Sequence, residues 1–193
     1  MKSANAGGRH LAFQWVSPYE PGDSRGGWKS MQYYLLRALE EARGPSRRLA
    51  PVEVPEEAGA KWVSRVYKKL GIPRSYAYYS PTRLKRYAET VDPFLAELAG
   101  VPVVFFGALP FVACRPAAPY YMYTDGCFAI HYWEYNKDHS HRKGDIERIC
   151  REEAAFMAGS AGVWCSSQWL ADRLTREYGL PAGLARFVGT GPG

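Results

Sequence analysis

The sequence predicts an α/β fold, Rossmann-like, with a mostly parallel sheet and helices on both faces. Short apolar runs of strand type alternate with amphipathic segments of helical period along the chain. One run, residues 101–106, is almost continuously apolar, as a strand buried on both faces must be. Gly and Pro punctuate most of the junctions between runs. A chain of 193 residues, 47% of them apolar, suits one ordinary domain with a good core.

Each element has a local reason. Residues 10–17 read as the first strand, followed by a turn-rich stretch over 18–27. A helix over 28–42 carries Trp28, Met31, Leu35, Ala38, Leu39 and Ala42 at helical spacing and stops at Gly44-Pro45. Residues 48–54 fit a short second strand. A helix over 60–70 closes at Gly71 and Pro73. Another runs over 82–98, where Pro93 must start a new segment or kink it. Strands follow at 101–106 and 120–124. A helix over 145–157 places Ile146, Ile149, Cys150, Ala154 and Met157 on one stripe. A strand at 162–165, a helix at 168–178 stopped by Gly179 and Pro181, and a strand at 185–188 complete the pattern. Parallel strands need right-handed crossovers, and ligands then gather at the carboxyl ends of the strands.

Composition removes several function classes. No apolar run reaches membrane-spanning length, and residues 101–114 are broken by Gly107 and Pro110. The first ten residues lack the apolar core of a signal peptide. Cys114, Cys127, Cys150 and Cys165 form no CxxC pair, so reduced, buried thiols in a cytoplasmic protein are expected and a zinc site is not. The formal charge is +6, with basic clusters at Arg47-Arg48, Lys68-Lys69 and Arg83, Lys85, Arg86. These clusters fit an anionic lipid surface at the inner membrane face, a phosphorylated substrate, or equally a solvated surface. No nucleic-acid module is visible.

Five places carry candidate chemistry. Arg25-Gly26-Gly27 opens a helix after the first strand, where backbone N–H groups and the positive helix end favour an anion. Neither the GxGxxG nor the Walker spacing is present, so taken alone this reads as a surface turn. Tyr123, Thr124 and Asp125 end a strand and run into His131, Tyr132 and Trp133. Rings beside a carboxylate suit a sugar, since rings stack on C–H faces and the carboxylate accepts from hydroxyls; the other reading is a core cluster with Asp125 capping a turn. Asp138-His139-Ser140-His141 reads as a mobile solvated loop rather than a metal site. Glu153 lies on an apolar stripe and needs a partner, expected from a neighbouring loop. Ser166-Ser167 caps the next helix, and Ala158-Gly159-Ser160-Ala161-Gly162 departs from GxSxG.

With these residues in place, the chain resembles the retaining glycosyltransferases of family 4, which have the GT-B fold. Tyr19-Glu20-Pro21 with Arg25-Gly26-Gly27 resembles that family's Pro- and Gly-rich first loop. Tyr87-Ala88 through Asp92-Pro93 to Leu98 resembles the helix before the central strand. Tyr123-Thr124-Asp125-Gly126-Cys127-Phe128 resembles its aromatic segment ending in an acid. Glu153-Ala154-Ala155, Val163-Trp164-Cys165-Ser166-Ser167-Gln168-Trp169 and Tyr178-Gly179-Leu180-Pro181 with Phe187-Val188-Gly189 resemble the segments leading to the interdomain linker.

The resemblance implies an N-terminal, acceptor-side domain over residues 1–188, the start of a linker at 189–193, and a missing C-terminal donor-binding domain as partner. It implies transfer of a sugar from a nucleotide-diphosphate sugar to a carbohydrate or lipid-linked acceptor hydroxyl, with retention, no cofactor and no metal. Arg25, Gly26 and Gly27 would contact the donor phosphates, and Asp125 would be catalytic. Tyr123, Thr124, His131 and Tyr132 would bind the acceptor, with Glu153 and Ser167 structural near the cleft. Many relatives end the corresponding strand with a histidine; here Thr124 and Asp125 stand there and His131 follows six residues later, so Asp125 and His131 both remain candidates for the key acceptor-side residue. The other readings are a stand-alone glycan- or phospho-ligand-binding module and a complete Rossmann-like enzyme for another phosphorylated ligand. This chain alone is expected to fold and to transfer no sugar.

Overall fold

A computed structural model describes residues 11–22, 27–49, 51–55, 59–136 and 140–189, with only the backbone at 60 and 61. Among them six strands form one sheet: β1 (Phe13–Val16), β2 (Ser46–Arg48), β3 (Val103–Phe106), β4 (Tyr120–Thr124), β5 (Gly162–Cys165) and β6 (Ala185–Phe187). Their order is β2-β1-β3-β4-β5-β6, and every neighbouring pair is parallel. The helices are α1 (Gly27–Arg43), α2 (Ala60–Lys69), α3 (Pro81–Ala96), the short α4 (Phe128–Ile130), α5 (Lys143–Ala158) and α6 (Gln168–Tyr178). The chain leaves β1 toward β2 on one side and later enters β3 on the other. The strand order therefore reverses between β1 and β3, which opens a crevice at their carboxyl ends.

The two faces are filled by alternate residues of the same strands. On one face Phe13, Trp15, Val104, Phe106 and Tyr123 pack under α1 through Met31, Leu35, Leu36 and Leu39. On the other, Val16, Phe105, Met122, Val163 and Cys165 meet Val91 and Leu95 of α3, Met157 of α5, and Leu170 and Leu174 of α6. A third cluster, Leu109, Phe128, Tyr132, Ile146 and Ile149, lies beyond the carboxyl end of the sheet and carries α4.

Three departures from the expected elements have clear causes. The second strand falls at Ser46–Arg48 rather than at 48–54. Val52 and Val54 are buried with Glu53 exposed between them, an alternation that mimics a strand, but Pro51 and Pro55 bracket them and offer no ladder N–H. Pro93 does not start a new segment, one of the two outcomes expected of it: α3 runs through it. It sits one turn from the end, between Val91 and Phe94-Leu95, and burial of these neighbours holds the backbone helical. Finally, Arg83 is not a surface cation. It is buried, its Nε and Nη2 donate to the Val54 carbonyl at 3.0 and 2.8 Å, and its Nη1 donates to the Tyr78 carbonyl at 2.9 Å.

Candidate functional site

A cleft of about 420 Å3 opens at the carboxyl ends of β1, β3 and β4, at the point where strand order reverses. Pro18 and Tyr19 line it after β1, Trp28 from the first turn of α1, residues 106–110 after β3 and residues 124–128 after β4. Tyr76, Tyr78 and Tyr79 form a further wall, His131 stands at the rim, and Glu153 lies beneath. Two carboxylates, Asp125 and Glu153, face this space. No Lys or Arg is among the described residues that line it, in a chain whose formal charge is +6.

The end of β1 is tied to α1. The Ser17 hydroxyl donates to Gln32 Oε1 at 2.6 Å and accepts from the Tyr19 N–H at 3.1 Å, which turns Tyr19 toward the cleft. Gly27 begins α1 with φ of 78°, a left-handed conformation that costs a residue with Cβ about 1–2 kcal/mol. No acidic residue occupies the first turn of α1, so nothing there repels an anion. Arg25 and Gly26, expected with Gly27 at the donor phosphates, lie outside the described residues.

Asp125 follows β4 directly and stands exposed at the cleft. Its carboxyl is raised from the ordinary value because the surrounding walls displace water from it. Thr124 is buried beside it and shapes the turn: its hydroxyl bonds the Gly126 carbonyl and accepts from the Gly126 N–H at 3.3 Å. His131 opens a π-helical turn, His131–Tyr135, at the rim. Such turns occur often at functional sites.

Two of the expected acceptor-binding rings are elsewhere. Tyr123 is 2% exposed and stacks on Phe106 at 5.2 Å beneath α1, with its hydroxyl toward Met31 Sδ and the Gly189 carbonyl. Tyr132 is 1% exposed and stacks on Phe128 at 5.6 Å. Neither lines the cleft, which corrects the expectation that both face the acceptor. Pleating sends Tyr123 to the α1 face, and the turn carrying Tyr132 directs that ring inward.

Glu153 is held on α5 where α4 begins. Its Oε2 accepts from the Phe128 N–H at 2.8 Å and from the Tyr178 hydroxyl, which in turn accepts from the Ala129 N–H at 3.1 Å. Burial pushes this carboxyl up to about 7, while the two hydrogen bonds pull it down. Ser167 caps α6, accepting from the Leu170 N–H at 3.2 Å, and is absent from the cleft lining. In the histidine-rich loop, Asp138 and His139 lie outside the described residues. His141, expected in a solvated loop, instead packs against Tyr76 at 4.8 Å and meets the Tyr132 hydroxyl through Nδ1 at 3.4 Å. Among the described residues no group of three or more His, Cys, Asp or Glu is placed to hold a metal ion.

The tyrosine wall escaped the sequence reading. Tyr76 and Tyr79 stack at 6.0 Å with planes 7° apart, and Tyr78 meets Tyr79 edge-on at 4.8 Å. The wall is held from distant elements: Asp145 accepts from the Tyr76 N–H at 3.2 Å, Arg148 donates to the Tyr79 carbonyl at 2.8 Å, and the Arg83 guanidinium lies over the Tyr78 ring at 4.1 Å. The aromatic density of residues 75–80 was the available signal, but a short 3-10 turn has no period to reveal a face.

No protein-family model matches the chain, and no curated protein matches it in sequence. Among solved structures, the UDP-N-acetylglucosamine 2-epimerase from Rickettsia bellii is similar, with a TM-score of 0.52 and 16% identity over 93% of this chain. The chain spans 44% of the length of that protein. At this identity the likeness speaks for the fold. The chain is thus a Rossmann-like α/β domain of the kind found in GT-B-like proteins.

Proposed function

We propose that the chain is the acceptor-side half of a glycosyltransferase that moves a sugar from a nucleotide-sugar donor to an acceptor hydroxyl with retention, as in family 4. The observation that carries this reading is Asp125, placed after β4 in an aromatic-walled cleft at the reversal of strand order. In this reading the described walls, with two carboxylates and no Lys or Arg, take a neutral polyhydroxylated acceptor. The donor diphosphate meets the N-terminus of α1 at Gly27, with Arg25 and Gly26 beside it. Asp125 orients the acceptor hydroxyl and offsets positive charge that develops on the sugar ring. His131, at the rim, shares the acceptor side. The other half of the enzyme binds the nucleotide.

The test uses a polypeptide in which this chain is joined to its donor-binding half. Asp125→Asn should lower transfer by about 100-fold or more, the scale of losing one preorganised electrostatic contact, with an unchanged circular dichroism spectrum. Undiminished transfer would remove Asp125 from the mechanism. The structural likeness favours one second reading, a sugar-nucleotide epimerase domain. Incubating the same polypeptide with donor alone separates the two. An epimerase converts the donor without any acceptor, whereas a transferase leaves it unchanged until acceptor is added.

A further inference from the structure

The tyrosine turn that walls the cleft is held from three sides. Asp145 of α5 accepts from the Tyr76 N–H at 3.2 Å, Arg83 of α3 donates to the Tyr78 carbonyl at 2.9 Å, and Arg148 of α5 donates to the Tyr79 carbonyl at 2.8 Å. Arg83 is buried in this role, and a buried guanidinium is costly unless its donors find acceptors. The same guanidinium lies over one face of the Tyr78 ring at 4.1 Å, and Tyr79 meets that ring edge-on at 4.8 Å. Yet Tyr78 stays 45% exposed and lines the cleft. Tyr19, 48% exposed, lines it from the end of β1, where the Ser17 hydroxyl accepts from its N–H. Burial, and then the nearby Tyr78, raises the Tyr19 hydroxyl above its ordinary value, so the two side chains are neighbours. A ring left open while its backbone and one face are fixed has little freedom to lose when a ligand stacks on it.

We propose that Tyr78, with Tyr19 beside it, is the stacking platform that selects a cyclic sugar, a pyranoside, as the acceptor. The apolar C–H face of the pyranose lies on the open part of the Tyr78 ring, and its hydroxyls turn toward Asp125. An acyclic polyol offers similar hydroxyls but no flat face of C–H groups. A phosphorylated ligand would bring like charge against Asp125. This role rests on the sugar reading of the cleft and adds to it the ring that decides the shape of the acceptor.

Saturation-transfer NMR on the chain tests it. The aromatic protons of the protein are irradiated in the presence of the methyl α- and β-pyranosides of glucose, galactose and mannose, with sorbitol as the acyclic control. At least one pyranoside should take up saturation, most strongly on the C–H protons of one ring face, and sorbitol should take up little. Tyr78→Phe should keep the parent's affinity for that pyranoside. Tyr78→Leu, which fills the space without a flat ring, should weaken it by about fivefold or more, with the native circular dichroism spectrum retained. The proposal is overturned if Tyr78→Leu binds as the parent does, if Tyr78→Phe loses as much as Tyr78→Leu, or if sorbitol binds as well as the pyranosides. In each of these cases the cleft still takes a polyhydroxylated ligand, and the sugar reading stands without the platform. If no pyranoside binds the parent, the sugar reading falls and the platform with it.

Discussion

Glu153 is enclosed beneath the cleft with its carboxyl raised by burial to about 7 from an ordinary 4.5. The sign of its effect on stability follows. Below pH 4.5 folded and unfolded chains both hold the proton, and the full stability is present. Between 4.5 and 7 the unfolded chain releases its proton while the folded chain keeps it, so stability falls as pH rises. At about 1.4 kcal/mol per unit, the loss reaches about 3 kcal/mol above pH 7. Glu153→Gln keeps an acceptor for the Phe128 N–H and the Tyr178 hydroxyl but cannot ionise. Urea unfolding at pH 5 and pH 8 should therefore show a smaller loss of stability in the variant than in the parent. Equal losses would mean that Glu153 is not the group responsible.

At the scale of elements, the tyrosine wall depends on a side chain from α3. Arg83 places its guanidinium on two backbone carbonyls and on the Tyr78 ring, so removing it strands the buried Val54 carbonyl and releases the part-buried Tyr78 carbonyl. Arg83→Met is expected to cost about 3 kcal/mol, measured by the urea midpoint. Arg83→Lys should recover only part of that, because an ammonium lacks the planar fork that serves both carbonyls. Amide exchange around Tyr78 and Tyr79 should quicken in both variants. A variant as stable as the parent would contradict this role. Helix α6 offers a simpler case: Ser167→Ala removes its N-cap and should cost about 1 kcal/mol in the same measurement.

For the whole molecule, the thiols report on packing. Cys114, Cys127 and Cys165 are buried in the cluster between the sheet and α3, α5 and α6, and Cys150 is half-buried. Burial pushes Cys127 and Cys150 up to about 11 and Cys165 up to about 12, and raises Cys114 further. None is then a thiolate at pH 8. In native protein, Ellman's reagent should label Cys150 slowly and the other three only at the rate of global unfolding. Prompt labelling of all four would show that this face of the sheet is not packed as described. Among the described residues no helix is long and apolar enough to cross a membrane.

Much of the architecture was legible from residues alone. The bounds expected for β4, β5 and α6 coincide with those observed, because Pro119, the Asp125-Gly126 turn, the Ser167 cap and Gly179 are local stops that act without help from the rest of the chain. The place of Asp125 at the carboxyl end of a strand was also legible, whereas the strand order that opens the cleft there was not. Nor was the second strand, since the alternation of Val52, Glu53 and Val54 is the same whether the backbone finds a ladder or only a core. Nor was the facing of the rings. Tyr123 stands beside Asp125 in sequence yet belongs to the α1 core, while Tyr76, Tyr78 and Tyr79 reach the cleft through Arg83, Asp145 and Arg148. Local residue patterns were enough for the alternating elements, the Ser167 cap and the strand end that carries the acid. Tertiary structure alone decided which rings surround that acid, because those contacts join residues as far as 69 positions apart and no local period encodes them.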